Sequence, residues 1–407
     1  MSDALFLMKT IADLTSKVGS GITPKGGSNI YTRNGPKLIR SQNVHPGCLS
    51  LADAVCIPEE IHQSMNATRV EGGDVLLNIT GASIGRCAIA PFDIGEANVN
   101  QHVCIIRSEP GEIDSSFLMH YLNSYGGQDQ INRFQAGGNR EGLNFAQIRS
   151  MEIPIPPHPE QKKIAEILSG IDHVIASNQN RIRSSQLLKK ALISRHIESI
   201  EHEVDEAKLG DLVNSVDSGW SPDCLKRPPL SDSEWSVLKT TSVTWTGFDQ
   251  QERKALPINL SPKEELVVEA GDILITRAGP ADRTGVVAYA DKKAVNTMIS
   301  DKIIRLRCDT STIEPRFLSI FLGTDYAQRQ MLKGKVGMAS SQTNISQQLL
   351  REMEIRFPPL PEQRRISEII AELQKTINQF QKYIDHTEKL KVSLSSDLLS
   401  GRKRVSI

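Results

Sequence analysis

Apolar positions along the chain fall into two alternating textures. Over 1–158 and 203–360 they form short runs broken by Gly, Pro, Asn and Asp: 37–44, 74–80, 87–90 and 103–107, then 236–243, 272–276, 285–290 and 303–306. Runs of that length between turn residues predict strands. Two helices, 115–124 and 315–323, interrupt them. The pattern predicts an α+β domain dominated by a curved sheet, present twice.

The other texture begins at a proline. Segments 159–202 and 361–407 each open with Pro-Glu-Gln and then run about forty residues without proline. Proline at the first helical position and an early glutamate both suit a helix N-terminus, and Gly401 is a C-terminal stop signal. Apolar residues then recur at heptad spacing: Ile164, Leu168, Ile171, Ile175, Asn178 and Ile182 in the first segment; Ile366, Ile370, Leu373, Ile377, Phe380 and Ile384 in the second. Such stripes read as the seam of a coiled coil, in which Asn178 is either a polar residue of the kind that fixes register or a solvated fraying point; the alternative is that each stripe packs on its own globular domain. A forty-residue helix is ~60 Å long, more than one domain of this size covers. The two helices are therefore expected to pack on each other.

The chain is an internal repeat. Asp13-Leu14 with Val18-Gly19-Ser20-Gly21-Ile22-Thr23-Pro24 returns as Asp211-Leu212 with Val216-Asp217-Ser218-Gly219-Trp220-Ser221-Pro222, and Gly73-Asp74 as Gly271-Asp272, all offset by 198. Met151-Glu152-Ile153 and Pro156-Pro157-His158-Pro159-Glu160-Gln161 return 202 residues later as Met353-Glu354-Ile355 and Pro358-Pro359-Leu360-Pro361-Glu362-Gln363. A period near 200 is far above the ~20–50 residues of a solenoid unit. Each copy is a whole domain plus a helix, and two copies imply an approximate twofold axis.

Composition narrows the function. With 39% hydrophobic and 24% charged residues the chain has ordinary globular character. No apolar run approaches the ~20 residues of a membrane span, and the start carries no secretory pattern, so a cytoplasmic location is expected. The cysteines (Cys48, Cys56, Cys87, Cys104, Cys224, Cys308) show no C-x-x-C spacing and are expected to be reduced, mostly buried thiols; no metal ligand set is expected. Phosphate-loop, dinucleotide, zinc-protease and nucleophile-elbow motifs are missing, as is the Asn/Asp-Pro-Pro-aromatic motif of an amino-methyltransferase. A duplicated chain without a duplicated catalytic set reads as a binder. Lys plus Arg balances Asp plus Glu at 48 each, so bulk charge gives no argument for a polyanion.

The stretch Ile155-Pro-Pro-His-Pro-Glu-Gln-Lys-Lys-Ile164 and its partner Phe357-Pro-Pro-Leu-Pro-Glu-Gln-Arg-Arg-Ile366 each lead into a long helix. Together with Gly19-Ser-Gly-Ile-Thr-Pro24 and the ending Leu398-Leu-Ser-Gly-Arg-Lys-Arg-Val405, they resemble the specificity subunit of type I restriction-modification systems. The resemblance covers essentially the whole chain, in order and in duplicate. It implies two target recognition domains (1–158 and 203–360), each reading one half of a bipartite, asymmetric site in double-stranded DNA, held apart by an antiparallel coiled coil of the central (159–202) and C-terminal (361–407) helices. It also implies two methyltransferase subunits and endonuclease/translocase subunits as partners. S-adenosylmethionine, ATP and magnesium would belong to those partners, the chain itself binding no cofactor and carrying no catalytic residue. A free-standing DNA-binding module, a nuclease with an unrecognised site and a protein-only scaffold are the competing readings.

Candidate DNA-binding residues lie in polar loops that recur in both copies. In the first they are Ser20 and Thr23; Arg40, Ser41 and Asn43; Thr80, Ser83 and Arg86; Asn100 and Gln101; Asn139 and Arg140. In the second they are Ser218 and Ser221; Lys239, Thr240 and Thr241; Arg277, Arg283 and Thr284; Ser300; Ser341, Gln342 and Thr343. Taken singly, each is as well explained as a turn-stabilising residue; the loops count as sets. The copies diverge here while Gly-Asp turns and helix entries match, which predicts two different half-sites. Segment 1–158 holds 12 basic and 15 acidic residues and 203–360 holds 20 and 22. Because phosphate neutralisation supplies much of DNA affinity, weak binding by the isolated chain is expected.

Overall fold

The computed structural model describes residues 6–135, 142–198, 204–280, 282–333 and 343–406. The chain divides into two compact units, Met1–Asn180 with Gln381–Ile407 and Arg181–Phe380. Each unit therefore owns half of both long helices, His158–Ile193 and Leu360–Leu399.

The first unit has a four-stranded antiparallel sheet in the order Thr15–Ser20, Val103–Ser108, Val75–Asn78, Cys87–Ile89. The second repeats it as Val213–Ser218, Ile303–Cys308, Ile273–Thr276, Val287–Tyr289. Alternation along the central strand explains its unbroken apolar run. Val75 and Leu77 enter the core beside Phe117 and Leu118, whereas Leu76 enters a second cluster with Ile39 and Val99, so both faces are covered.

A smaller mixed sheet follows in each unit. Thr32–Ile39 pairs antiparallel with Val55–Cys56 and parallel with Ala97–Val99; Ser236–Leu238 does the same with Arg253–Ala255 and Thr297–Met298. The strands expected over 37–44 and 236–243 stop early because the chain turns through 3-10 helices, Ser41–Asn43 and Thr240–Ser242. The helices Ser115–Asn123 and Pro315–Leu322 are each followed by another the pattern did not predict, Tyr125–Gln135 and Asp325–Lys333. These second helices are polar on most sides, which masks their period.

The Pro-Glu-Gln segments do more than start helices. Gln161, 1% exposed, accepts a hydrogen bond from the Asp114 amide at 2.8 Å and donates to the Pro156 and Glu112 carbonyls at 3.0 and 3.5 Å. Gln363 repeats this with the Glu314 amide at 2.8 Å and the Pro358 and Thr312 carbonyls at 2.8 and 3.3 Å. Asp114 and Glu314 in turn cap the next helix through the Phe117 and Phe317 amides. One buried amide thus fixes the long helix against the domain core.

The heptad stripes have two jobs rather than one. Ile164 and Leu168 are buried in the first unit's core with Leu398 and Leu399, and Ile366 and Ile370 in the second unit's core. That part of each stripe docks on globular domain, correcting the expectation of a seam between helices alone. Ile377 and Ile384 are buried, while Ile171, Ile175, Ile182, Leu373 and Phe380 are half-buried. Within each unit the helices run antiparallel: Asp172 pairs with Lys391 and Glu160 with Arg404 in the first, and Arg181 stacks on Phe380 while Lys189 donates to Gln374 in the second. Asn178 is buried, but its amide donates to Val174 of its own helix at 2.8 Å.

The second long helix stops at Gly401, whose φ of +79° favours glycine and whose Cα packs so closely on Phe6 that a side chain would collide with the ring. Beyond it, Arg404 forks onto Glu160 at 2.9 and 2.7 Å and lies over Phe6. The six cysteines are free, as expected, but only Cys87, Cys104 and Cys308 are buried; burial pushes the Cys104 and Cys308 thiols up to about 12. No helix among the described residues is long and apolar enough to cross a membrane.

Two outcomes follow. Gln161→Met leaves the Asp114 amide and two carbonyls unpaired at a buried site, a loss of ~1–3 kcal/mol; the urea midpoint should fall accordingly, and Gln363→Met should do the same. A midpoint matching that of an exposed substitution would remove the clamp's role. The Arg404 guanidinium holds the Glu160 carboxyl below its ordinary 4.5, so the pair stabilises the fold above that pH and stops doing so as pH falls through the lowered value. The melting-temperature gap between the native chain and Arg404→Met should be widest at neutral pH and close as the pH falls below the ordinary carboxylate range.

Candidate nucleic-acid interface

The loops that recur in sequence converge at the ends of the four-stranded sheets. In the first unit Gly21 lies against the Val99 carbonyl so closely that no side chain fits, and its amide donates to Asn100 at 3.0 Å. This brings Thr23 to Gln101. The Thr23 hydroxyl donates to Gln101 Oε1, Gln101 Nε2 lies 2.9 Å from His102 Nε2, and His102 Nδ1 lies 2.5 Å from Thr80 Oγ1. Since the Gln101 oxygen is taken by Thr23, its NH2 faces the ring, making His102 Nε2 the acceptor and Nδ1–H the donor to Thr80. The Thr80 hydroxyl proton is left over for another acceptor. Three candidate loops are joined in one polar chain, with His102 as the link that sequence reasoning missed.

The second unit uses the same positions with other chemistry. Gly219 packs on the Ile299 carbonyl as Gly21 does on Val99, and Ser221 donates to Asp301. Where the Ile79 amide donates to the His102 carbonyl, the Arg277 amide donates to the Lys302 carbonyl. The Arg277 side chain then donates to Asn344 Oδ1 at 3.1 Å and Ser218 Oγ at 3.3 Å. The strand Thr343–Asn344 pairs with Ala278–Gly279, bringing the late loop beside the sheet; in the first unit the bridge between Thr80 and Gly142 does this. Asn139, Arg140, Ser341 and Gln342 lie outside the described residues, as does the side chain of Thr343.

Several candidates do not face outward. Asn43 is 1% exposed, its amide spent on the Ser50 carbonyl at 3.2 Å and the Arg40 amide at 3.0 Å; it closes a turn and offers nothing to a base edge. Asn100 is buried and accepts from the His102 amide. Thr284 is buried on the Gly279 and Pro280 carbonyls, and the hydroxyl of Ser300 is buried without a hydrogen-bond partner among the described residues. These four are corrected to turn or interior residues.

Of the rest, Arg86 is exposed and makes no ion pair among the described residues, Ser83 is half-buried on the same loop, Ser20 is half-buried at the end of the strand Thr15–Ser20, and Ser41 is half-buried at the start of the turn Ser41–Asn43. Arg40 stacks over Tyr31 at 5.5 Å. Arg283 donates to the carbonyl of Thr240 at 3.3 Å.

Lys239 and Thr241 are already occupied. The Glu252 carboxylate accepts from Thr241 at 2.5 Å and lies 3.4 Å from Lys239; the Thr241 hydroxyl and then the Lys239 ammonium hold its pKa below the usual range. A phosphate would have to compete with this carboxylate for the lysine.

Conserved geometry carries the loops. Gln128 donates to the Gly85 and Leu122 carbonyls at 2.9 and 2.7 Å, and Gln328 to Gly285 and Leu322 at 3.0 and 2.7 Å. In the Gly-Asp turns, Asp74 is held by Arg107 at 2.7 Å and Asp272 by Arg307 at 2.9 Å, which makes these turns scaffold. Among the described residues, Glu59, His62 and Glu96 are grouped closely enough to share a cation.

A family model, the type I restriction modification DNA specificity domain, matches residues 33–184 and 202–385. The chain is 35% identical over 191 residues to the EcoEI specificity subunit of Escherichia coli, an alignment covering 47% of this chain and 32% of that one. It is 25% identical over 374 residues to the EcoKI specificity subunit of Escherichia coli strain K12, covering 86% and 76%. Among solved structures, the specificity subunit from M. genitalium is similar in fold, with a TM-score of 0.66, 16% identity and 98% and 97% coverage. Two matched segments on two repeated units, over most of the sequence, place this chain in the family of type I restriction-modification specificity subunits.

Proposed function

We propose that each unit reads one half of a bipartite, asymmetric double-stranded DNA site, and that the chain directs partner methyltransferase and endonuclease subunits to it without performing chemistry itself. The observation that carries this reading is a shared scaffold with unlike chemistry at equivalent loop positions. The first unit presents a Thr-Gln-His-Thr chain ending in a spare hydroxyl donor; the second presents Arg277 between Ser218 and Asn344 with Ser221 on Asp301. An arginine fork suits guanine O6 and N7, and a threonine hydroxyl suits a single acceptor.

Partner docking is supported by exposed apolar side chains on the long helices, Leu187 and Leu188 in one unit and Leu390 and Val392 in the other, since such patches mark interaction surfaces. The proposed partners would act on DNA in the cytoplasm and bring S-adenosylmethionine, ATP and magnesium with them.

The test is co-expression with the methyltransferase subunit of the same system, followed by long-read mapping of N6-methyladenine. A split asymmetric motif that disappears without this chain is expected; unchanged methylation by an assembled, active complex would overturn the reading in favour of a free-standing module. Thr80→Val should relax or weaken one half-site only and Arg277→Ala the other, each by ~1–3 kcal/mol, or about 5- to 150-fold. Glu252→Gln frees Lys239, so the affinity of the complex for DNA at low salt should rise and the slope of log affinity against log salt should steepen by up to ~1. An unchanged slope would show that Lys239 lies off the DNA path.

A further inference from the structure

The first unit contains a buried polar group that its twin lacks. Asn98 sits opposite Leu38 in a parallel pair, and the matching position opposite Val237 is Met298. Both side chains are fully buried. Met298 lies in an apolar cluster with Val237 and Leu256, which shows that this position needs no polar atom for the fold. Asn98 instead donates to the Met65 carbonyl and to Thr68 Oγ1, both at 2.9 Å. With its NH2 spent there, its Oδ1 faces His62 Nδ1 at 2.6 Å.

That contact fixes the ring. Oδ1 can only accept, so Nδ1 carries the proton and the neutral imidazole presents its lone pair at Nε2. His62 is 2% exposed, and among the described residues its Nε2 faces Glu96 Oε1 at 4.0 Å, beyond hydrogen-bond distance. Glu59 lies one turn before His62 on the helix Glu59–Ser64 and shares its face. Ligand atoms of Glu59, His62 and Glu96 all lie within 4.8 Å of one another. Two carboxylates grouped this closely with an imidazole lone pair repel it unless a proton or a metal cation stands between them, and the Glu59 carboxylate also accepts a hydrogen bond from Gln63 Nε2.

We infer that Glu59, His62 and Glu96 bind a first-row divalent cation, zinc in the simplest case, with Asn98 as the outer residue that orients the histidine. Ligands at ~2.0–2.2 Å from one tetrahedral ion stand ~3.3–3.6 Å apart, so the two exposed carboxylates close the site by turning inward by about an ångström. A carbonyl or carboxylate on the far nitrogen is the usual support of a metal-bound histidine, and the imidazole favours zinc over magnesium or calcium. The ion would tie the helix Glu59–Ser64 to the strand Ala97–Val99, which leads into the Asn100-Gln101 loop. Among the described residues no such ligand group surrounds Met298, so the tether would belong to the first unit only.

The full chain, stripped with chelator and dialysed, is titrated with zinc chloride by calorimetry and by melting temperature, with magnesium chloride as the control. One saturable zinc site per chain, a raised melting temperature and no comparable magnesium effect are expected. Glu59→Gln and Glu96→Gln, both at exposed positions, should each weaken zinc binding by ~10-fold or more without lowering the melting temperature of the metal-free chain. Absence of saturable binding would overturn the site. So would zinc binding that neither substitution changes, because the ion would then sit elsewhere, for example on the exposed thiol of Cys48. None of these readouts involves DNA, so the result stands apart from the half-site reading.

Discussion

Two buried glutamine side chains, Gln161 and Gln363, each decide how a long helix meets the domain core of its own unit. Each uses its carbonyl and its NH2 to join the start of a long helix to the backbone just before a short core helix. A buried amide with its bonds made is worth little net, but the same amide misplaced is expensive. That asymmetry makes the angle of helix to domain a matter of specificity rather than of adhesion. The apolar contacts behind it, Ile164 and Leu168 on one core and Ile366 and Ile370 on the other, supply non-directional free energy. The amides select one arrangement from those the contacts would tolerate.

With the helices fixed, the sheets are fixed, and so are the loops at their ends. The supports are duplicated in detail: glycines with no room for a side chain at 21 and 219, glutamines at 128 and 328, aspartate–arginine pairs at 74–107 and 272–307. What they support differs. His102 stands where Lys302 does, and Gln101 where Asp301 does. Side chains bonded to one another before any ligand arrives have already lost part of their rotamer freedom, which lowers the cost of ordering them on binding. This favours a fixed pattern of donors and acceptors over a set of mobile polar tails.

Much of this was legible in the sequence, for reasons that also explain the failures. The duplication, both long helices and the central strands are repeated or periodic over many residues, so local noise averages out. The helices Tyr125–Gln135 and Asp325–Lys333 escaped because they are short and mostly polar. Loop residues were named by type, and type does not reveal direction. Asn43 and Asn100 look like base readers in sequence, yet both turn inward to satisfy backbone groups, as short amide side chains readily do. His102 escaped because a lone histidine carries no spacing signal; its only trace is that the twin position holds a lysine.

Electrostatics sets the limit on what these units do alone. Both target-facing segments carry more acidic than basic residues, and Lys239 is held by Glu252. In DNA binding, phosphate contacts supply sequence-independent affinity while base-edge contacts supply discrimination. A protein poor in the first and organised for the second has a small non-specific background, so that its preference is not buried under binding to every other sequence. On the function proposed above, the corollary is dependence on partners: the charge that holds DNA in place would come largely from subunits that bind this one. A division of labour between a reading subunit and a clamping, reacting subunit would then follow from the charge distribution, and it would let the reading loops change without disturbing the chemistry they direct.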